Sequence, residues 1–290
     1  MVIASLSEGL RQAARTPRLA VTLWAWNLAL AAGATAPLAR WLAGALPRAP
    51  EADVLAERFS VGVLSELLQD AGPALTLVWT AVAAAVVLAV LGSGLVAGGM
   101  LEVLGGDDGR PFLHRFGRGA GRFFGRFLRL QLLALVAAAV AGLLGAVVSL
   151  ALGPLRESHW EPAAVLSLLI VLGVVLFGLA VAGLALDYAR IRVSLDGSRR
   201  MLRAYLAALH LVARQLPRTA GLWLLSAGLL LAAAAAYLAF TQAVPSSTTP
   251  FLALTVLAQQ AFALLRAGLR VAAVAGERSL YERLGGYSRR

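Results

Sequence analysis

Residues 163–186 read AAVLSLLIVLGVVLFGLAVAGLAL and run straight into Asp187-Tyr188-Ala189-Arg190. A stretch of this length without one charged side chain matches what a helix rising about 1.5 Å per residue needs to cross about 30 Å of hydrocarbon. Five further stretches are comparably long and apolar, 19–39, 73–101, 128–152, 220–241 and 251–275, the third of them carrying Arg129 and the last Arg266 and Arg270. Unpaired backbone groups are costly in lipid, so these segments are expected as helices and not as strands. The expectation is an all-α, polytopic membrane protein with six transmembrane helices, the whole of 1–290 forming a single integral membrane domain.

The loops between the spans carry the second signal. If the first span starts inside, segments 1–18, 105–129, 187–218 and 266–290 are cytoplasmic and hold 22 of the 26 basic residues, all of them arginine. The outside keeps Arg40, Arg48, Arg58 and Arg156 against seven acids, a balance of −3, while the inside stands at +14. Arginine bias alone sets the orientation. It predicts a multi-pass protein of a cell inner (plasma) membrane with both termini in the cytoplasm. Arg11, Arg15 and Arg18 before an apolar run, with Ala34-Thr35-Ala36 beyond it, imitate a signal peptide, but the run exceeds an h-region of 7–15 residues and reads as an uncleaved first span.

Composition narrows the function classes. Sixty per cent of the 290 residues are hydrophobic. The isoelectric point near 11.4 would suggest nucleic acid in a soluble protein. Here the basic residues abut membrane spans, so anionic lipid headgroups on the cytoplasmic side are the expected counter-ions and nucleic acid is not an expected partner. The absence of cysteine excludes disulfides, thiolate metal sites and thiol nucleophiles.

An amphipathic, arginine-bearing segment precedes the first, third and fifth spans. Ile3, Leu6, Leu10 and Ala14 share one face of the first. Phe112, Phe116, Phe123 and Phe127 recur in the second among Arg115, Arg118, Arg122 and Arg126. Leu202, Tyr205, Leu206, Leu209 and Val212 do so in the third beside Arg199, Arg203 and Arg214. Such spacing predicts cytoplasmic interfacial amphipathic helices, with apolar residues in the headgroup boundary and guanidinium groups free for phosphate. Arg115, Arg118, Arg122, Arg126, Arg199 and Arg203 are the candidate headgroup contacts. Pro17 and Pro217 break the first and third of these helices from the spans that follow, because proline disfavours helix in the residue before it. The layout is compatible with three copies of one unit, an interfacial helix plus a helical hairpin, the middle copy replacing proline by Gly117, Gly119 and Gly121. Residues 47–72 form an outer amphipathic segment that is either a lid over the bundle or a connector on the headgroups.

A search for chemistry returns little. No span carries Asp, Glu or His near its centre, where carriers and intramembrane enzymes place functional charge. Gly92-Ser93-Gly94 has the look of a nucleophile turn, but His114, His159 and His210 all lie outside the spans. Asp107-Asp108 is most simply a turn, and no metal or cofactor site is read. Gly94 with Gly98, and Ala141 with Gly145, have the small-xxx-small spacing that lets helix backbones approach closely. Asn27 and Gln131 suit interhelical hydrogen bonds. The sharpest polar cluster is Asp187-Tyr188-Ala189-Arg190 at the end of the fourth span, where Asp187 is expected to pair with Arg266 or Arg270, as a structural ion pair or as a gate.

Arg15-Thr16-Pro17-Arg18 entering the first span, Gly98-Gly99 closing the second, residues 122–130 (RFFGRFLRL) entering the third, Asp187-Tyr188-Ala189-Arg190-Ile191 after the fourth and Gln259-Gln260 in the sixth together resemble a family of bacterial six-span proteins. That family is similar to the membrane domain attached to some glycerophosphodiester phosphodiesterases. The resemblance covers nearly the whole chain and implies a six-helix fold in a bacterial inner membrane. It implies no catalytic residue for this sequence. The expectation is a non-enzymatic membrane organiser or partner subunit contacting anionic lipid. The alternative is a permease or flippase-like carrier for a lipid or amphiphile. A closed bundle favours the first; a polar cavity lined by Asn27, Gln131, Asp187 or Gln259 favours the second.

Overall fold

The computed structural model describes residues 1–45, 72–106, 109–153, 161–244 and 249–285. Outside them lie most of the outer segment 47–72, of which only Gly72 is described, the pair Asp107-Asp108, and Arg156, Glu157 and His159. Eight helices account for nearly all described residues: α1 (Val2–Arg15), α2 (Pro17–Ala45), α3 (Gly72–Leu104), α4 (Phe112–Ala151), α5 (Glu161–Asp196), α6 (Met201–Arg214), α7 (Leu216–Ala243) and α8 (Thr249–Arg283). Among the described residues there is no strand, and six helices, α2, α3, α4, α5, α7 and α8, are long and apolar enough to cross a membrane. This is the architecture of a multi-pass membrane protein.

The chain divides into two compact units, residues 22–93 and residues 1–21 with 94–290. The first is a hairpin of α2 and the earlier part of α3. Its close approach is at Gly92, where an added Cβ would fall 2.1 Å from Cζ2 of Trp26, so the indole lies in the space that a side chain at position 92 would fill.

The second unit is built inside out compared with a soluble domain. Along its apolar stretches leucines such as Leu143, Leu150 and Leu231 stand exposed. The buried residues gather where the helices outrun their apolar stretches. At 35 residues α8 is about 52 Å long, well beyond a hydrocarbon core of about 30 Å. Its C-terminal half, with the ends of α3 and α5, the start of α4 and the short helices α1 and α6, encloses a core that includes Phe123, Phe127, Leu130, Tyr188, Val212 and Val271.

Small residues set the helix approaches. A Cβ at Gly98 would meet the carbonyl of Gly119 at 2.8 Å, which fixes the crossing of α3 and α4. One at Gly178 would meet Cβ of Ala141 at 2.5 Å, and one at Gly145 would meet Cγ2 of Val175 at 2.2 Å, which fixes α4 against α5. Both small-residue pairs read from the sequence lie at these contacts. A third approach was not anticipated. Gly9 of α1 lies 2.2 Å, measured from an added Cβ, from the carbonyl of Ala272 on α8.

The proline corners form as expected at Thr16, with φ −123° and ψ 55°, and at Gln215, with φ −117° and ψ 29°. Each ends a 14-residue amphipathic helix and starts a span. The middle segment differs. Gly117, Gly119 and Gly121 produce no break, and α4 runs for 40 residues from Phe112 through its apolar stretch. Glycine weakens a helix by about 1 kcal/mol relative to alanine but removes no hydrogen bond and creates no clash, whereas proline does both.

Candidate functional site

The arginine-rich core is assembled from the C-terminal turns of α3, α5 and α8 and the first turns of α4. The last carbonyls of α3 have no partners within their helix and need donors from elsewhere. Three helices supply them. Arg115 of α4 donates from Nη2 to the carbonyl of Val103 at 2.9 Å and to that of Gly106. Gln12 of α1 donates to Leu104 at 3.1 Å, and Arg278 of α8 to Leu101 at 3.5 Å. Two of the three donors are cations placed at a helix C-terminus, where the macrodipole favours positive charge.

Beside this cap, Glu102 of α3 takes Arg118 at 3.0 Å. Arg126 donates to the carbonyl of Gly197 at 3.3 Å. Gly197 has φ +64° and closes α5 through its amide on Val193, a left-handed position suited to glycine. Asp196-Gly197 is thus the stop of α5.

These contacts engage three of the candidate headgroup residues within the protein. Arg115 is only 8 % exposed, and Arg118 and Arg126 are partly buried, each turned to acceptors within the protein. Phe123 and Phe127, 1 % and 0 % exposed, pack in the core with ring centroids 5.4 Å apart, and do not form a membrane-facing stripe. The same four-residue spacing that predicts an interfacial face serves an internal one when protein covers it. Arg122, Arg199 and Arg203 do point outward, Arg122 with its guanidinium 5.2 Å from the Phe123 ring centroid.

At the polar centre, Asp187 of α5 receives Arg270 of α8 through one nitrogen, Nη2, at 3.2 and 3.1 Å from its two oxygens. Arg190, one turn along α5, stands 3.6 Å from the same carboxylate and donates to Oε1 of Gln131 on α4 at 3.2 Å. Arg270 is therefore the partner of Asp187, while Arg266 is exposed one turn earlier. Gln131 does make an interhelical hydrogen bond; Asn27 and Gln259 are exposed.

The residue that sequence reading passed over is Glu277. It is 2 % exposed, and among the described residues its Oε2 has no hydrogen-bond partner. It borders a cavity of about 20 Å³ shared with Asp187, Arg190 and Arg270. Its signal was the spacing Arg270 to Glu277, two turns of one helix and hence one face. Tyr188 is wholly buried beside it, with its ring centroid 6.4 Å from that of Tyr281. Tyr205 of α6, whose hydroxyl donates to the carbonyl of Ala182 at 3.3 Å, is pushed above the ordinary phenol range by burial.

Elsewhere, Ser93 donates to the carbonyl of Val90 within its helix, and His114 and His210 are exposed. Among the described residues no group of three or more metal-ligating side chains occurs. No protein-family model, no curated protein and no solved structure matches the chain.

Proposed function

We propose that the chain is a non-catalytic membrane organiser or partner subunit. Its arginine-rich end lies at the cytoplasmic surface of a bacterial inner membrane, both termini included, and contacts anionic lipid through α1 and α6. The observation that carries this reading is the three-sided build of those helices. In α1, Ser5 and Gly9 face the protein, Ile3 (76 % exposed) and Leu10 face outward, and Arg11 and Arg15 occupy the remaining side. In α6, Ala204, Ala208 and Val212 face the protein, Leu202 and Leu206 face outward, and Arg203 and Arg214 take the third side. Each helix turns at a proline corner into a span, which sets its exposed leucines at the membrane boundary and its guanidinium groups at the level of phosphates.

The resemblance to a membrane domain attached to phosphodiesterases fits a part that supplies placement and not chemistry. The carrier alternative draws on the polar cavity at Asp187, but about 20 Å³ holds one water and no amphiphile.

The test is stabilisation of the detergent-solubilised protein by anionic over neutral phospholipid. Replacing Arg15, Arg199, Arg203 and Arg214 by glutamine is expected to weaken anionic-lipid binding by about 1 kcal/mol per arginine, less at high salt. An unchanged preference for anionic lipid in the fourfold variant would overturn the reading.

A further inference from the structure

Most carboxylates of the arginine-rich core have a cationic partner: Asp187 has Arg270 and Arg190, Glu102 has Arg118, and Glu282 has Arg278 at 3.1 Å. Glu277 is the exception in geometry. Its side chain is buried, Oε2 has no donor among the described residues, and it forms part of the wall of a cavity of about 20 Å³. A buried, ionised oxygen without a donor is expensive, and an ionisable residue held inside a membrane protein calls for a purpose.

What the cavity can accept follows from its walls. From α5 come Asp187 and Arg190, from α8 Arg270, and from α3 only the apolar Ala97, Met100 and Leu101. From α4, Gln131 is reached through Arg190, and on the opposite side of α8, Gly276 packs on the carbonyl of Ser5 of α1. Two carboxylates and two guanidinium groups leave no net attraction for a metal cation. Both carboxylates oppose an anion. The volume excludes an organic ligand but admits one water. A proton needs no volume, converts the donorless oxygen into a donor, and can arrive on that water.

We propose that Glu277 is a proton-binding site, loaded through the one-water cavity between α5 and α8. The step is a transfer from hydronium in the cavity: its O–H bond breaks as Oε2–H forms, leaving water behind and adding one positive charge to the Asp187–Arg190–Arg270 cluster. Neither an oxidant nor a co-reactant is needed. The proposal stands independently of lipid binding by α1 and α6.

Infrared difference spectra of the full chain in detergent, taken between about pH 2 and about pH 10, a range that begins below the ordinary glutamate value of about 4.3, read the site directly. The expected result is a protonated-carboxyl C=O band that titrates in the wild type and is lost in Glu277→Gln. In Asp187→Asn, which keeps Glu277 but changes the wall it faces, the midpoint of that band is expected to move by about one pH unit, a tenfold change in proton affinity. Wild-type and Glu277→Gln spectra that coincide would overturn the proposal. Should Glu277→Gln fail to fold, an unmoved midpoint in Asp187→Asn would do the same.

Discussion

The first turns of α4 and the whole of α6 look alike as sequence, each interleaving arginines with large apolar residues at helical spacing, yet the two are put to opposite uses. In α4 the aromatic face is internal, with Phe123 and Phe127 in the core and Arg115 spent on the end of α3. In α6 the face turned to the protein is made of Met201, Ala204, Tyr205, Ala208 and Val212, while Leu202 and Leu206 look outward. The lesson is that apolar–arginine periodicity identifies a helix with two chemistries but not what covers the apolar side. A proline at the corner, present after α6 and absent within α4, separates the cases.

Truncation separates the two stripes by the largest margin. Phe127→Ala is expected to cost about 3–5 kcal/mol, the range for emptying a packed aromatic site, and Leu206→Ala no more than about 0.5 kcal/mol, as at an exposed position. Thermal unfolding in detergent reads both, and comparable losses would mean that the two stripes are equally covered.

Two glycines within α4 differ in the same way, one covered and one open. An added methyl at Gly119 would sit 2.6 Å from the carbonyl of Gly98, whereas Gly121 has open space. Gly119→Ala should therefore destabilise by about 1–3 kcal/mol through overpacking, while Gly121→Ala should be neutral or stabilise by up to about 1 kcal/mol. If both substitutions stabilised, the close crossing of α3 and α4 would be wrong.

The smallest effect is expected at the ion pair. Asp187 coupled to Arg270 in a double-mutant cycle should give about 1 kcal/mol, because the arginine is nearly half exposed and screened, and coupling to Arg266 should be near zero. Stronger coupling to Arg266 than to Arg270 would contradict the observed pairing.

Much of the fold was legible because it is local. Six apolar lengths, two proline corners and two small-residue spacings each depend on residues close in sequence. What was not legible is non-local. Nothing in residues 112–130 says that Arg115 will meet the carbonyls ending α3, since that depends on where a different helix stops. Asp187 was readable as a candidate because it interrupts an apolar run. Its choice of Arg270 over Arg266 is a matter of one helical turn on a helix 83 positions away. In the sequence Glu277 is one acid among several at the span ends, because its distinguishing property, an oxygen without a donor among the described residues, exists only once α3, α5 and α8 surround it.

The cap on α3 also has a consequence for how the molecule is made. Its donors come from near the beginning, the middle and the end of the chain, and Arg278 follows Leu101 by 177 positions. Gly9 of α1 has its close contact with Ala272 of α8. During synthesis, then, the end of α3 keeps carbonyls awaiting donors, and α1 awaits its docking surface, until α8 has been translated. α8 acts as the latch on the helices that precede it, so this junction closes only after α1 to α7 have been made.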